Sequence, residues 1–159
     1  MGCQTRAMTS AAYVRVSLVV PAKPGRIFDV LATPYRLPEI DPSMISDDND
    51  SPVTGEGQVF VMNMVAADGS EPVTYRARHQ VNAFKHNRLI GWDVIPDGGG
   101  GSWSWRLELA PIEGKKKRTE VALTYDWSTM SESDVARFGV RDEANLLGCL
   151  QRLVAAVQK

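Results

Sequence analysis

The chain has 159 residues and a formal net charge of -1, from 18 Lys and Arg against 19 Asp and Glu. With 43% hydrophobic and 23% charged residues, it is too apolar and too weakly charged to be disordered. There is no overall basic excess for binding nucleic acid, and the uninterrupted apolar runs are too short to span a membrane. Surface scaling buries about 69% of such a chain, which is enough for a sizeable core.

The organisation of the chain is predicted to be simple. We expect residues 1–11 to be a disordered N-terminal extension, with the start at Met1 or Met8 left open, and residues 12–159 to be a single domain. The extension lacks the apolar core of a signal peptide, which predicts a cytoplasmic location. The two cysteines are too few for a disulfide framework. Cys149 falls in an apolar helical pattern that is typical of a packed thiol.

The first elements lie before residue 41. Alternating apolar residues predict a strand over Tyr13–Val20. A short helix with one apolar side is predicted over Arg26–Ala32, since Pro24 suits a first helical turn. The prolines that follow allow at most a second short helix over Tyr35–Ile40.

Six further strands are predicted between residues 43 and 127, where the hydrophobic period is two. The clearest is Val73–Ala83, whose apolar face alternates with a polar one as in a half-buried antiparallel strand. Gly-rich or polar connections at 97–101 and 113–118 are typical of hairpins. The six strands span 43–47, 58–66, 73–83, 88–95, 102–109 and 119–127.

After residue 127 the hydrophobic period becomes 3.6. Ser131 and Ser133 can cap a turn at the start of this region. A long amphipathic helix is predicted over Arg141–Gln158, and its apolar face must pack against the apolar face of the strands. The stripe that defines it consists of Leu146, Leu150, Leu153 and Val157.

Four segments carry a family resemblance by their order and spacing: a strand-proline-helix entry at Val16–Leu31, then Leu37–Pro42, Arg88–Trp92 and the last hairpin at Trp103–Trp127. Together they resemble the START-like or SRPBCC superfamily, with the closer likeness to bacterial polyketide cyclase/dehydrase and lipid-transport members. Ile40 stands where a Trp is common in that family.

This resemblance covers about residues 12–158 and implies an α+β helix-grip fold. In that fold a curved seven-stranded antiparallel sheet wraps a long C-terminal helix, two short helices follow the first strand, and a cavity lies between sheet and helix. Family members bind lipids, polyketides or other apolar small molecules, and some are cyclases or dehydratases.

Side chains on the apolar faces are the candidates for lining this cavity, although ordinary core packing explains each of them as well. Methionine adapts to irregular shapes, which suits a permissive cavity. The predicted ligand-binding residues are Phe60, Met62, Met64, Tyr75, His79, Trp92, Trp103, Trp105, Tyr125, Leu146 and Leu150.

His79 and Tyr75 are the candidate catalytic residues, as acid/base or orienting groups. They lie four residues apart on one strand face, so their Cα atoms should be about 13 Å apart. That is too far for a direct hydrogen bond, but both can contact one substrate. No paired carboxylates and no nucleophile–base motif support catalysis.

Metal and cofactor sites are not expected. The chain has two histidines and no HxH or HExxH pattern, and His86 falls in a predicted exposed turn. No GxSxG, Walker or dinucleotide-binding motif occurs. The basic run Lys115–Arg118 is interpreted as a solvated hairpin tip.

Three functions remain from the sequence. The favoured one is binding or transport of a small hydrophobic ligand, lipid or polyketide-like, between the sheet and the C-terminal helix. The alternative is a cyclase or dehydratase that uses the same cavity, and the third is an interaction module that acts through a protein partner. We expect no nucleic-acid partner, no membrane span, and a monomer or homodimer.

Overall fold

The computed structural model describes residues 8–9, 12–47, 51–66, 73–98 and 101–158. The strands are β1 (Met8–Thr9), β2 (Tyr13–Val20), β3 (Met44–Asp47), β4 (Val59–Ala66), β5 (Val73–Lys85), β6 (Leu89–Pro96), β7 (Trp103–Ile112) and β8 (Lys115–Asp126). The helices are α1 (Pro24–Leu31), a 3-10 helix (Pro34–Glu39), α2 (Glu132–Phe138) and α3 (Glu143–Val157).

All strands belong to one antiparallel sheet in the order β1-β2-β8-β7-β6-β5-β4-β3. The strands from β3 to β8 are joined in sequence as neighbours, while β2 pairs with β8 from Tyr13 opposite Asp126 to Val20 opposite Thr119. The predicted seven-stranded sheet, curled around the C-terminal helix, is confirmed.

The short strand β1 is an addition at the sheet edge. Met8 and Thr9 lie within the segment that we expected to be a disordered extension, and they pair with Arg15 and Val14 of β2. The rest of residues 1–11 lies outside the described residues.

Helix α3 begins two residues later than predicted. Asp142 is its N-cap, and the Asp142 side chain accepts a 2.8 Å hydrogen bond from the backbone N–H of Asn145. An Asp at this position satisfies a free helical N–H, so the preceding Arg141 is left outside the helix.

The predicted capping role of Ser131 is confirmed at the start of α2. The Ser131 hydroxyl accepts from the backbone N–H of Asp134, and the Asp134 carboxylate accepts from the backbone N–H of Ser131. This reciprocal capping box stabilises a helix of only seven residues, which is too short to persist by propensity alone.

The core lies between the concave face of the sheet and α3. Helix α3 packs against β2 and β8 and also contacts α1 and the 3-10 helix. The predicted helical stripe is buried, at 0% exposure for Leu146 and 1% for Leu150. In the described part of the chain, no helix combines the length and apolar character that crossing a membrane requires.

Candidate functional site

A partly open cavity of about 330 Å³ lies at the end of the sheet where β5, β7 and β8 meet the connection between α2 and α3. This volume is at the lower end of the range found for small-molecule sites. The cavity is lined by Asp41, Pro42, Ser43, Val65, Ala66, Tyr75, Trp103, Tyr125, Phe138, Gly139, Val140, Arg141, Asp142 and Asn145.

One wall of the cavity is aromatic. The ring of Phe138, the last residue of α2, lies 4.9 Å from the ring of Tyr75 and 5.2 Å from that of Trp103, between centroids. Tyr75 and Trp103 are themselves 6.5 Å apart in an edge-to-face arrangement. These separations are typical of attractive aromatic contacts, so α2 closes one side of the cavity through a single side chain.

A second wall of the cavity is polar and centres on an ion pair. Arg141 Nη1 donates to Asp41 Oδ1 at 3.1 Å, and Arg141 Nη2 donates to Asp41 Oδ2 at 3.0 Å. The side chains are 16% and 1% exposed, respectively. Two parallel hydrogen bonds between guanidinium and carboxylate fix the relative orientation of both groups.

Neighbouring polar side chains hold this pair in place. Asp41 Oδ1 accepts from the backbone N–H of Ser43 at 3.0 Å and from its hydroxyl at 2.8 Å. Arg141 also donates to the Ser43 hydroxyl and, at 3.1 Å, to Asn145 Oδ1. The guanidinium lies 4.8 Å from the centroid of the Trp105 ring, a cation–π contact.

The electrostatics of the cavity follow from this arrangement. Burial lowers the pKa of Arg141, but the charge and hydrogen bonds of Asp41, with a smaller contribution from Cys149, raise it above its ordinary value overall. Arg141 is therefore charged, and its positive charge is compensated by the negative charge of Asp41 beside it. Since Asp41, Ser43 and Asn145 occupy both terminal nitrogens of Arg141, the polar wall offers a ligand a local dipole without a net charge.

The two tyrosines at the cavity are not bases at neutral pH. Burial raises the pKa of Tyr75 and of Tyr125, and the nearby Arg141 charge opposes that effect only in part. Both hydroxyls stay protonated at neutral pH, so each can donate one hydrogen bond and accept others.

Helix α2 is tied to the start of β7. The Asp134 carboxylate accepts a 2.6 Å hydrogen bond from the backbone N–H of Gly101 as well as a 3.1 Å bond from Ser131. These backbone hydrogen bonds, from Ser131 and then Gly101, lower the pKa of Asp134. A Cβ on Gly101 would lie 2.5 Å from both Asp134 Oδ2 and the Thr129 carbonyl oxygen, so only glycine allows this close approach.

The structure brings part of the predicted ligand-binding set to the cavity. Tyr75, Trp103 and Tyr125 line it. The other predicted residues are buried in the core beyond the cavity lining, and their contact with a ligand stays a prediction; they are Phe60, Met62, Met64, His79, Trp92, Trp105, Leu146 and Leu150.

The candidate catalytic residue His79 is fully buried, at 0% exposure. Its Nδ1 lies 3.3 Å from the carbonyl oxygen of Ala77, and its ring stacks on Phe60 with centroids 4.9 Å apart. Burial lowers its pKa to about 4, so the imidazole is neutral at pH 7. A joint contact of His79 and Tyr75 with one substrate stays a prediction.

The polar wall was missed by sequence analysis. Asp41 lies within the segment Leu37–Pro42 that carries part of the family resemblance, and the sequence predicts Arg141 in the first turn of the long helix. One signal was present: a cation at a helix N-terminus is unfavourable because of the helix dipole, so Arg141 is poorly explained as an ordinary helical residue. Phe138 is not among the predicted ligand-binding residues.

Among the described residues, no three His, Cys, Asp or Glu side chains lie close enough together to hold a metal ion.

Comparison with known proteins identifies the fold. No protein-family model and no curated protein matches the sequence. Solved structures do match: a START superfamily protein from Mycobacterium smegmatis superposes with a TM-score of 0.67 at 12% identity, covering 93% of this chain and 98% of that one. An aromatase/cyclase from Streptomyces sp. R1128 gives 0.63 at 17% identity, covering 92% and 93%.

A further match is a protein from Arthrobacter aurescens solved in solution. It gives a TM-score of 0.71 at 14% identity and covers 96% of this chain and 91% of that chain. TM-scores of 0.63 to 0.71 over almost the whole length show a shared fold, and at identities this low the likeness shows the fold alone.

Proposed function

We propose that this protein, which has the START-like helix-grip fold, binds one small and largely apolar molecule in the cavity between β5, β7, β8 and the α2–α3 connection. The observation that carries the proposal is an aromatic wall formed by Tyr75, Trp103 and Phe138 in one cavity with a charge-compensated polar wall formed by Asp41 and Arg141. The first supplies apolar contact area, and the hydroxyls of Tyr75 and Tyr125 can orient a hydroxyl or carbonyl group of the ligand.

Simple energetics support such a role. A ligand that buries about 400 Å² of apolar surface gains about 10 kcal/mol, and association costs about 4 kcal/mol or more. The remainder of about 6 kcal/mol corresponds to a dissociation constant of tens of micromolar, and one or two polar contacts bring it into the micromolar range. Since the ion pair is internally neutralised, a neutral ligand fits the polar wall better than a free anion does.

Binding is tested on the full chain by displacement of an apolar fluorescent dye and by native mass spectrometry. Ala66 lines the cavity and is 5% exposed, so the variant Ala66→Phe places a ring inside it. The matched control is Ala110→Phe, on an exposed position of β7. We expect Ala66→Phe to weaken binding at least about tenfold and Ala110→Phe to leave it unchanged. Equal binding by both variants would contradict the proposed site.

A cyclase or dehydratase acting in the same cavity is the second candidate. It is favoured by the protonated hydroxyls of Tyr75 and Tyr125 beside the ion pair, since a tyrosine can act as a general acid. The variant Tyr75→Phe keeps the ring and removes the hydroxyl. A loss of turnover on a polyketide-like substrate, with dye binding unchanged, would support catalysis over simple binding.

A further inference from the structure

Three buried polar atoms in the described part of the chain have no hydrogen-bond partner: His79 Nε2, Trp92 Nε1 and Trp105 Nε1. The residues are 0%, 1% and 3% exposed, respectively. Buried side-chain polar atoms are nearly always paired in native proteins. Unpaired ones that lie together therefore indicate a place where a polar atom of another molecule is received.

Two of these atoms have complementary hydrogen-bonding character. The carbonyl oxygen of Ala77 can only accept, so the 3.3 Å contact places the imidazole proton on His79 Nδ1. In the neutral ring His79 Nε2 is then an acceptor, whereas Trp92 Nε1 can only donate. Burial, which lowers the pKa of His79 to about 4, keeps the ring neutral at pH 7, and the contact with Ala77 selects the tautomer.

The two rings are close neighbours in the core. The His79 and Trp92 rings have centroids 6.4 Å apart, and both contact Phe60, at 4.9 and 6.0 Å. An oxygen that hydrogen-bonds two nitrogens at about 2.9 Å each spans up to about 5.8 Å. A hydroxyl satisfies both atoms, since it accepts from the indole and donates to the imidazole. An ether or a carbonyl satisfies the indole alone.

The two side chains lie on the same face of the sheet as part of the cavity lining. Tyr75, Ala77 and His79 lie on one face of β5, and Tyr75 lines the cavity. The side chain between them is only a methyl group. Ala77 pairs across the sheet with Met62 of β4, and methionine changes rotamer readily. Because Met62 and Ala77 are both fully buried, a ligand reaches His79 only if Met62 moves away from Ala77.

Building on the proposed function, we propose that the ligand is an elongated apolar molecule with a hydroxyl group, and that this hydroxyl binds between His79 Nε2 and Trp92 Nε1. The apolar body then occupies the space over Ala77 and the aromatic wall of the cavity. The ligand class is a phenol or alcohol with a rigid or chain-like hydrocarbon part.

A matched set of three probes tests this inference: biphenyl, 4-methoxybiphenyl and 4-hydroxybiphenyl, each titrated against the full chain with dye displacement as the readout. We expect 4-hydroxybiphenyl to bind about tenfold more tightly than the other two, as is typical for a buried hydrogen bond. In His79→Phe, which keeps an aromatic ring, the advantage of 4-hydroxybiphenyl over 4-methoxybiphenyl should fall below about twofold, because both probes then accept only from the Trp92 indole. His86→Phe, at the exposed second histidine, is the matched control and should retain it.

A second measurement uses the wild-type chain, so its result does not depend on whether the variant folds. In the ¹⁵N-labelled wild-type chain, the Trp92 indole N–H resonance, assigned with Trp92→Phe, should shift on adding 4-hydroxybiphenyl and not on adding biphenyl. If all three probes bind within about twofold of each other, the hydroxyl subsite is wrong and the proposed binding function stands. If none binds, the proposed function itself fails, together with this inference.

Discussion

Arg141 and Asp41 lie one hundred positions apart in the chain and form a two-point ion pair at the wall of the cavity. The pair joins the segment before α3 to the segment before β3, so it holds together two parts of the cavity rim. Because it is mostly buried, removing one partner leaves the other charge without compensation.

We therefore expect Arg141→Met to lower the free energy of unfolding by about 3–5 kcal/mol, measured by urea denaturation. The double variant Arg141→Met/Asp41→Leu should lose less than the sum of the single variants, because no uncompensated charge remains. The control is Arg15→Met, which breaks a 3.8 Å pair with Glu108 whose side chains are 42% and 48% exposed. It should cost less than about 1 kcal/mol, and an equal cost at both sites would contradict the assigned role of the buried pair.

Stability should depend on pH through His79. Its pKa of about 4 in the folded state lies below the ordinary value of 6.5, so between these two values the unfolded chain binds a proton that the folded chain does not. Stability is therefore complete above about pH 6.5 and falls by about 3 kcal/mol as the pH drops to 4. Denaturation of His79→Phe should lack this component, whereas His86→Phe should keep it. If the free energy of unfolding of His79→Phe depends on pH as strongly as that of the wild type, other titrating groups cause the dependence.

Phe138 should control access to the cavity. It contacts Tyr75 and Trp103 with one ring and is itself only half-buried. Phe138→Ala should weaken dye binding by about tenfold and speed its dissociation, while the free energy of unfolding falls by less than about 2 kcal/mol. Tyr35→Ala, at a residue 58% exposed on the 3-10 helix, is the control for loss of an aromatic side chain. Unchanged dissociation in Phe138→Ala would show that α2 does not close the cavity.

Gly101 should control the position of α2. A methyl group there meets the Asp134 carboxylate and the Thr129 carbonyl oxygen at 2.5 Å, so Gly101→Ala forces these groups apart. We expect faster amide hydrogen exchange over residues 132–138 in this variant. Gly55→Ala adds the same methyl where no atom lies within 4 Å and should leave the exchange unchanged. Identical protection in the two variants would mean that the tether to β7 does not hold α2.

Much of the fold was predictable from the sequence because its signals are local. The period of two in β5 follows from the alternation of side chains across a strand; the strand begins at Val73 as predicted, but Val73 is 51% exposed and burial alternates only from Tyr75 onward. The capping box at Ser131 is likewise encoded within four residues. Helix α3 was placed correctly except at its start, where Asp142 acts as the cap.

The cavity could be predicted only in part. Tyr75, Trp103 and Tyr125 face the interior, as the period of two predicts, and also reach the cavity. His79 and Trp105 share the same pattern but lie deeper, among other core side chains. A period identifies the face on which a residue lies, but the depth along that face depends on where α2 and α3 cover the sheet.

The sequence alone thus determined the class of this domain: one antiparallel sheet, a terminal amphipathic helix and an apolar interior between them. Only the tertiary structure decided where that interior stays open and what polar groups face it. Asp41 and Arg141 meet across one hundred positions because the ends of distant elements converge at one edge of the sheet. The sequence around each residue does not indicate its partner, because a buried charge is stabilised by a group that only the fold brings within hydrogen-bonding distance.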